Sequence, residues 1–370
     1  MASNTFAYDP LEFGTILNDL LLQETVTNIN CWYGRLIVSD NKQGQFLYNI
    51  DSYDEKEKEE YYDTILKLSN RLANRMVVSY NEGSPILDAE TEFSNIGRLR
   101  INAIHPSLNG SNYPAISIRK ALMKVRINKK SMMSSGYATE EIINLLAALI
   151  EGGNNTMISG ITGSGKTELL KYIARYIKDN EGIITIEDTR EAYLEENYPD
   201  KFVLALKSSE GNSFSDLIRT SLRQNPNWIC VSETRSEEVL DLLSATETGH
   251  NLLSTIHSSS ARAIPNRMVS MAKARDGSEA NRIYRQVYEN IDIGVHISYT
   301  VDESGLHRMI DEICEFYIDD LDNPKAHMIC RYDLENNRYI YNKIESTKIR
   351  ENLIRKKINT NRLKGVFLNA

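Results

Sequence analysis

One stretch constrains this chain more than any other: residues 157–167, Met-Ile-Ser-Gly-Ile-Thr-Gly-Ser-Gly-Lys-Thr. A short apolar run enters a loop with three glycines, the loop closes on Lys166 and Thr167, and an amphipathic stretch follows (Leu169, Leu170, Tyr172, Ile173, Tyr176, Ile177). Strand, G-x-x-x-x-G-K-T, helix is the context of a phosphate-binding loop. The glycines Gly160, Gly163 and Gly165 allow positive φ and turn backbone N–H groups inward on phosphate oxygens, with Thr162, Ser164 and Glu168 completing the segment. The helix N-terminus adds partial positive charge. Lys166 supplies a point charge for the β- and γ-phosphates, and Thr167 a hydroxyl for Mg²⁺. Guanine specificity usually appears as N-K-x-D. Asn41-Lys42, Asn128-Lys129 and Asn342-Lys343 all lack the Asp, so ATP is the expected nucleotide.

With 370 residues, two domains are expected. Residues 1–125 alternate helical and strand-like runs and read as a small α+β domain. Residues 126–138 are polar and rich in small side chains, which suggests a linker. Residues 139–370 form the second domain, opened by a helix with Thr139 as N-cap. Past the loop, apolar strands near 182–186, 202–206, 228–231 and 252–256 alternate with helical stretches. That pattern predicts an α/β fold, a mostly parallel sheet covered on both faces. After residue 290 the strands read as an antiparallel meander, partly added to the sheet edge. A net charge of −8 argues against bulk nucleic-acid binding. The N-terminal residues show no signal peptide, and no apolar run is long enough to span a bilayer. The four cysteines (31, 230, 314, 330) form no C-x-x-C pair; they read as reduced core residues, with no zinc expected. Residues 343–364 carry eight Lys or Arg, which suits a solvated helix or a docking face for an acidic partner or anionic lipid.

Further chemistry is expected at strand ends. Glu187-Asp188 ends one apolar strand, and Glu233 ends another with Arg235 two residues on. Strand C-termini face the ligand crevice of a parallel sheet, so one acid can hold Mg²⁺, partly through water, while the other orients the attacking water. His250 and His257 bracket the strand at 251–256. His257, at its C-terminal end, can reach the γ-phosphate.

The ordered set G-I-T-G-S-G-K-T, I-T-I-E-D, S-L-R-Q-N-P-N-W-I-C-V-S-E-T-R and T-G-H-N-L-L-S-T-I-H resembles the secretion-superfamily traffic ATPases, the motors of type II and type IV secretion, Tad-type pilus assembly and conjugation. Gly97-Arg-Leu-Arg100-Ile-Asn-Ala and Ile116-Ser-Ile-Arg119-Lys extend the likeness and point to the Tad/type IV branch. The resemblance implies a RecA-like P-loop domain, ATP with Mg²⁺, a homo-hexamer, and a cytoplasmic location at the inner membrane face through platform or channel proteins. It assigns Lys166 and Thr167 to phosphate and Mg²⁺, Glu187 as catalytic carboxylate and Glu233 as Walker B acid and metal ligand. It assigns His250 and His257 to a histidine box. It sends Arg100 and Arg119 to the γ-phosphate when two domains close. Ser232, where the family usually has Gly, and Thr189-Arg190 after Glu-Asp depart from the pattern. A nucleotide-gated scaffold with little turnover and a direct DNA translocase are the alternatives.

Overall fold

The computed structural model describes residues 5–93, 97–209, 211–272, 277–303 and 305–363. Residues 1–4, read above for a leader, and Lys364, the end of the basic segment, lie outside them. The chain divides into two compact units, Met1–Lys124 with Val301–Leu306, and Val125–Thr300 with His307–Ala370.

The first unit holds β1 (Thr5–Ala7), α1 (Pro10–Leu22), β2 (Val26–Trp32), β3 (Arg35–Asp40), β4 (Gly44–Leu47), α2 (Glu55–Met76), β5 (Ile86–Phe93), β6 (Gly97–Ile104), α3 (Pro106–Asn109) and β7 (Ala115–Leu122). Its sheet runs β1-β5-β6-β7-β2-β3-β4. β2 and β3, which read as one strand-like run in the sequence, are the two strands of a hairpin. Tyr33 and Gly34 take φ of 54° and 75° and reverse the chain without an Asn-Gly signal. The acidic stretch at 51–60 is a helix start: Asp54 accepts from Glu57 N–H and the Glu57 carboxylate accepts from Asp54 N–H. Ile65, Leu68 and Leu72 of α2 recur at helical spacing and pack with Phe13, Leu17 and Leu20 of α1 in one core with the sheet.

The second unit holds α4 (Lys129–Ser134), α5 (Glu140–Glu151), β8 (Thr156–Gly160), α6 (Lys166–Ala174), β9 (Ile183–Glu187), α7 (Leu194–Asn197), β10 (Val203–Lys207), α8 (Phe214–Leu222), β11 (Trp228–Thr234), α9 (Glu238–Glu247), β12 (Asn251–Ile256), α10 (Ile264–Met271), α11 (Gly277–Asn290), β13 (Ile293–Asp302), β14 (Gly305–Ile318), β15 (Pro324–Asp333), β16 (Arg338–Tyr341) and α12 (Thr347–Arg355). The sheet order is β10-β9-β11-β12-β8-β13-β14-β15-β16. The pairings of β8 to β12 and of β9 to β10 and β11 are parallel. One core lies on each face of this sheet, as near-continuous apolar strands require.

Two expectations change here. β13, expected in the antiparallel meander, pairs parallel with β8, register Ile293↔Thr156 to Ile297↔Gly160. The phosphate-loop strand is therefore flanked by parallel neighbours on both sides, and the antiparallel meander is β14-β15-β16. The stretch expected as linker is packed: α4 carries an Asn128 capping box, and Met132, Tyr137 and Ala138 are buried in the second unit's core. Its polar residues sit on the outer side of one short helix, which composition alone cannot separate from a linker.

The basic C-terminal segment is tied down by acids of the same unit. Lys348 pairs with Asp292 at 2.7 Å, Lys356 with Glu181 at 3.1 Å, and Arg362 with Glu151. Ile349 and Leu353 insert into the core. Glu315, fully buried on β14, accepts from the N–H groups of Glu345 and Ser346 at 2.7 and 3.0 Å and from His327 Nδ1 at 2.7 Å. Burial pushes its carboxyl upward against those donors. Glu315→Ala orphans two backbone N–H groups and strands His327, so it is expected to cost about 3–5 kcal/mol. Thermal denaturation should show a fall on the order of 10 °C, and Glu315→Gln, which keeps one acceptor, should recover part of it.

Candidate functional site

The loop between β8 and α6 has the geometry its glycines imply. Gly160 sits at φ +154°, where a Cβ would lie 2.5 Å from Ser164 Oγ and 2.6 Å from the Ile297 carbonyl oxygen. Gly165, at φ +97°, is the N-cap of α6 and leaves its first-turn N–H groups without a side-chain cap. Ser164 Oγ is buried with no hydrogen-bond partner. An orphaned hydroxyl inside a nest of backbone N–H groups at a helix N-terminus fits a bound oxyanion. Thr162 is exposed on the loop, and Thr167 stands half-buried in the first turn of α6.

Lys166 is buried, its Nζ donating to the carbonyl oxygens of Gly160 and Ile161 at 3.0 and 3.2 Å. Its Nζ also lies 3.5 Å from His257 Nδ1, and His257 Nε2 lies 3.0 Å from Glu233 Oε1. Burial and the neighbouring Lys166 charge push the His257 imidazolium down, while Glu233 opposes them. A neutral ring that accepts at Nδ1 and donates from Nε2 satisfies both partners. Glu233 Oε2 accepts from Arg235 at 2.8 Å, and the same guanidinium reaches Asp188 at 2.8 Å. Burial raises the Glu233 carboxyl, but Arg235, His257 and Lys166 together hold it below the usual carboxylate range. Lys166, His257, Glu233, Arg235 and Asp188 thus form one polar chain across the C-terminal ends of β8, β12, β11 and β9.

Glu187 lies deeper, about 1% exposed, and Oε1 accepts from the N–H groups of Glu191 and Ala192 at 3.1 and 3.0 Å. Burial pushes its carboxyl up to about 7. The neutral acid is the form favoured by folding, so its contribution is complete below 4.5 and is lost as pH rises through about 7. Glu187→Gln removes that titration. From pH 5 to pH 8, the melting temperature of Glu187→Gln is expected to gain on the wild type by several degrees. A constant difference would mean that Glu187 is ionised throughout.

The remaining predicted residues divide. Glu168 turns away from the loop: Oε2 accepts from Arg126 N–H at 3.0 Å, and Oε1 pairs with Lys171 at 3.4 Å. His250 is not brought to the phosphate loop. It lies at the N-terminal end of the six-residue β12, bonded to Thr248 Oγ1 and facing the Ala245 carbonyl, while His257 follows the C-terminal end. A strand that long separates them by about 20 Å. In the first unit, Arg100 on β6 and Arg119 on β7 are direct cross-strand partners.

Sequence reasoning missed Arg308. From β14 its Nε donates to the Gly163 carbonyl at 3.0 Å, and its Cδ would stand 3.6 Å from a Cβ at Gly165. It stiffens the loop from the side. No local pattern around residue 308 carries that signal. Cys31, Cys230, Cys314 and Cys330 are buried free thiols.

A parallel sheet with a glycine loop on its central strand, and acids on the neighbouring strand ends, defines a P-loop nucleotide-binding protein. Residues 88–365 match the family described as type II/IV secretion system protein. The chain belongs to that family. The type IV secretion system protein VirB11 of Bartonella quintana is 30% identical over 151 residues, 39% of this chain and 42% of that one. The X-ray structure of the Yersinia pseudotuberculosis ATPase DotB has the same fold, with a TM-score of 0.58 at 17% identity, covering 97% of this chain and 87% of DotB. The pilus retraction motor PilT with bound ADP gives a TM-score of 0.53 at 18% identity over 82% of each chain. The chain spans about half the length of the curated relatives it matches first. Among the described residues, no helix is long and apolar enough to cross a membrane.

Proposed function

We propose that this protein is an ATP-hydrolysing motor that powers secretion, type IV or Tad pilus assembly, or conjugative transfer. The observation that carries the reading is the polar chain from Lys166 through His257 and Glu233 to Arg235 and Asp188, set beside a loop shaped for an oxyanion. Phosphates of ATP bind the loop N–H groups of residues 160–167, with Ser164 Oγ turned inward. Lys166 exchanges its carbonyl contacts for phosphate oxygens. Thr167 and Glu233 offer hard oxygen donors for Mg²⁺, which supplies charge neutralisation when bound. Glu187, with a carboxyl near neutrality, is matched to accept a proton from the attacking water. His257 links Lys166 to Glu233 and passes the loss of the γ-phosphate to the strand ends. Arg100 and Arg119 supply the second cationic face when the first unit closes on the second.

The working form is a homo-hexamer in the cytoplasm, held at the membrane by platform or channel proteins, with no direct nucleic-acid contact. Mass measurement and phosphate release, followed together on addition of MgATP, test this reading. A hexamer with continuous release, lost in Glu187→Gln, supports the motor. A hexamer without release makes the chain a nucleotide-gated scaffold. Release that requires DNA at physiological salt makes it a translocase.

A further inference from the structure

On the second unit, away from the phosphate loop, a cavity of about 340 Å³ opens between the β14-β15-β16 meander and the loop that follows His257. It is lined by Ser260, Arg262, Glu312, Met328, Arg331 and Ile340. Register explains the lining: Glu312, Arg331 and Ile340 stand opposite one another on three adjacent strands, so they form one row on one face. Asn342 closes one side, its amide fixed on the Met328 carbonyl at 2.8 Å.

Two guanidiniums against one carboxylate give the cavity a net positive charge. Glu312 is already engaged, its Oε2 accepting from Ala261 N–H at 2.8 Å. Among the described residues, neither Arg262 nor Arg331 makes an ion pair, although Arg331 faces Glu312 across the strands; Arg262 meets the Cys314 thiol and lies within electrostatic reach of Tyr288. Both arginines are exposed. Met328 and Ile340 supply an apolar floor beside them. A guanidinium fork selects a planar oxyanion, and the floor selects a ligand that carries hydrocarbon next to that anion. A bare phosphate would leave half of the cavity unused. A flat anionic membrane could not enter a concave site.

We propose that this cavity binds an acidic peptide segment, one side-chain carboxylate held between Arg262 and Arg331 and a neighbouring apolar side chain laid on Met328 and Ile340. The site also has a route to the phosphate loop. Glu312 fixes the backbone at Ala261, four residues past His257. It also acts electrostatically on His296, whose Nδ1 lies 2.9 Å from Ser159 Oγ at the root of the loop. A peptide bound to the arginines alters the field at Glu312 and so reaches both ends of the nucleotide site. That coupling rests on the ATPase reading; the binding itself does not.

The test uses the full chain and a fluorescein-labelled, end-capped hexapeptide of alternating leucine and glutamate, with a leucine–glutamine twin, read by fluorescence anisotropy at about 50 mM salt. The glutamate peptide is expected to bind at least about tenfold more tightly than its twin. Arg262→Gln and Arg331→Gln are each expected to weaken it about tenfold, and millimolar inorganic phosphate to leave it in place. Equal binding of the two peptides, unchanged binding by the double variant, or displacement by phosphate would each overturn the proposal. Phosphate release from MgATP should change on adding the peptide to the wild type and not to the double variant. A chain that binds the glutamate peptide but never releases phosphate would sink the ATPase reading and leave the peptide site standing.

Discussion

Lys166→Ala is expected to reduce phosphate release from MgATP by about 10²–10³-fold and to weaken nucleotide binding on the order of a hundredfold, about 3 kcal/mol. The reason lies in what the ammonium does with and without phosphate. Its Nζ is held by two loop carbonyls and faces His257. These contacts fix the cation inside the loop before the ligand arrives, so binding does not carry the full entropy of ordering a long side chain. Alanine removes the point charge and the Lys166 link from the loop to His257. The folded state itself should survive, because the N–H groups that shape the loop belong to the backbone. Equilibrium binding of a fluorescent ATP analogue and circular dichroism on the same samples separate these effects. A variant that melts before it loses affinity would recast Lys166 as a structural cation.

The second large effect is expected at Glu233 and its clamp. Glu233→Gln keeps the shape of the side chain, and its amide can still face His257 and Arg235, so nucleotide affinity should change little. The carboxylate's charge is gone, and turnover should fall by about 10²–10⁴-fold. Arg235→Ala acts through Glu233. Arg235 is the strongest influence holding the Glu233 carboxyl low against its burial. Without it, Glu233 and Asp188 lose their shared cation and the Glu233 carboxyl rises. A carboxylate whose pKa rises is protonated, and lost as an oxygen donor for Mg²⁺, at higher pH, so the acid limb of the pH–rate profile should shift upward in Arg235→Ala, with a smaller loss at pH 8 than at pH 6. A pH-independent loss would assign Arg235 to packing alone. Arg235→Lys, which keeps charge but cannot bridge two carboxylates with a planar fork, should lie between wild type and alanine.

Much of the site was legible because its parts are local. The phosphate loop, the acid at the end of β11 and the histidine after β12 each occupy a few consecutive residues next to an apolar run. Parallel strands then deliver their C-terminal ends to one edge. What the sequence concealed depends on contacts between distant positions. Arg308 reaches Gly163 across 145 residues, and Ser159 meets His296 across 137. β13 looked like one more strand of a meander because an apolar run reads the same in parallel and antiparallel pairing. The basic C-terminal segment reads as a solvated helix or a docking face because its acidic partners, Glu151, Glu181 and Asp292, come from separate elements. His250 stands apart from the phosphate loop for a different reason. A motif with histidines at both ends of a strand holds them a strand length apart, and only the end that follows β12 faces the loop.

A single-turnover experiment meets the central claim most directly. Radiolabelled MgATP is mixed with an excess of the full chain, quenched over time and separated into ATP and phosphate, with wild type and Glu233→Gln run side by side. The account predicts that the wild type converts its bound ATP to ADP and phosphate, while Glu233→Gln binds the same amount and holds it as ATP. Bound ATP left intact on the wild type, or converted equally fast on both proteins, would contradict it.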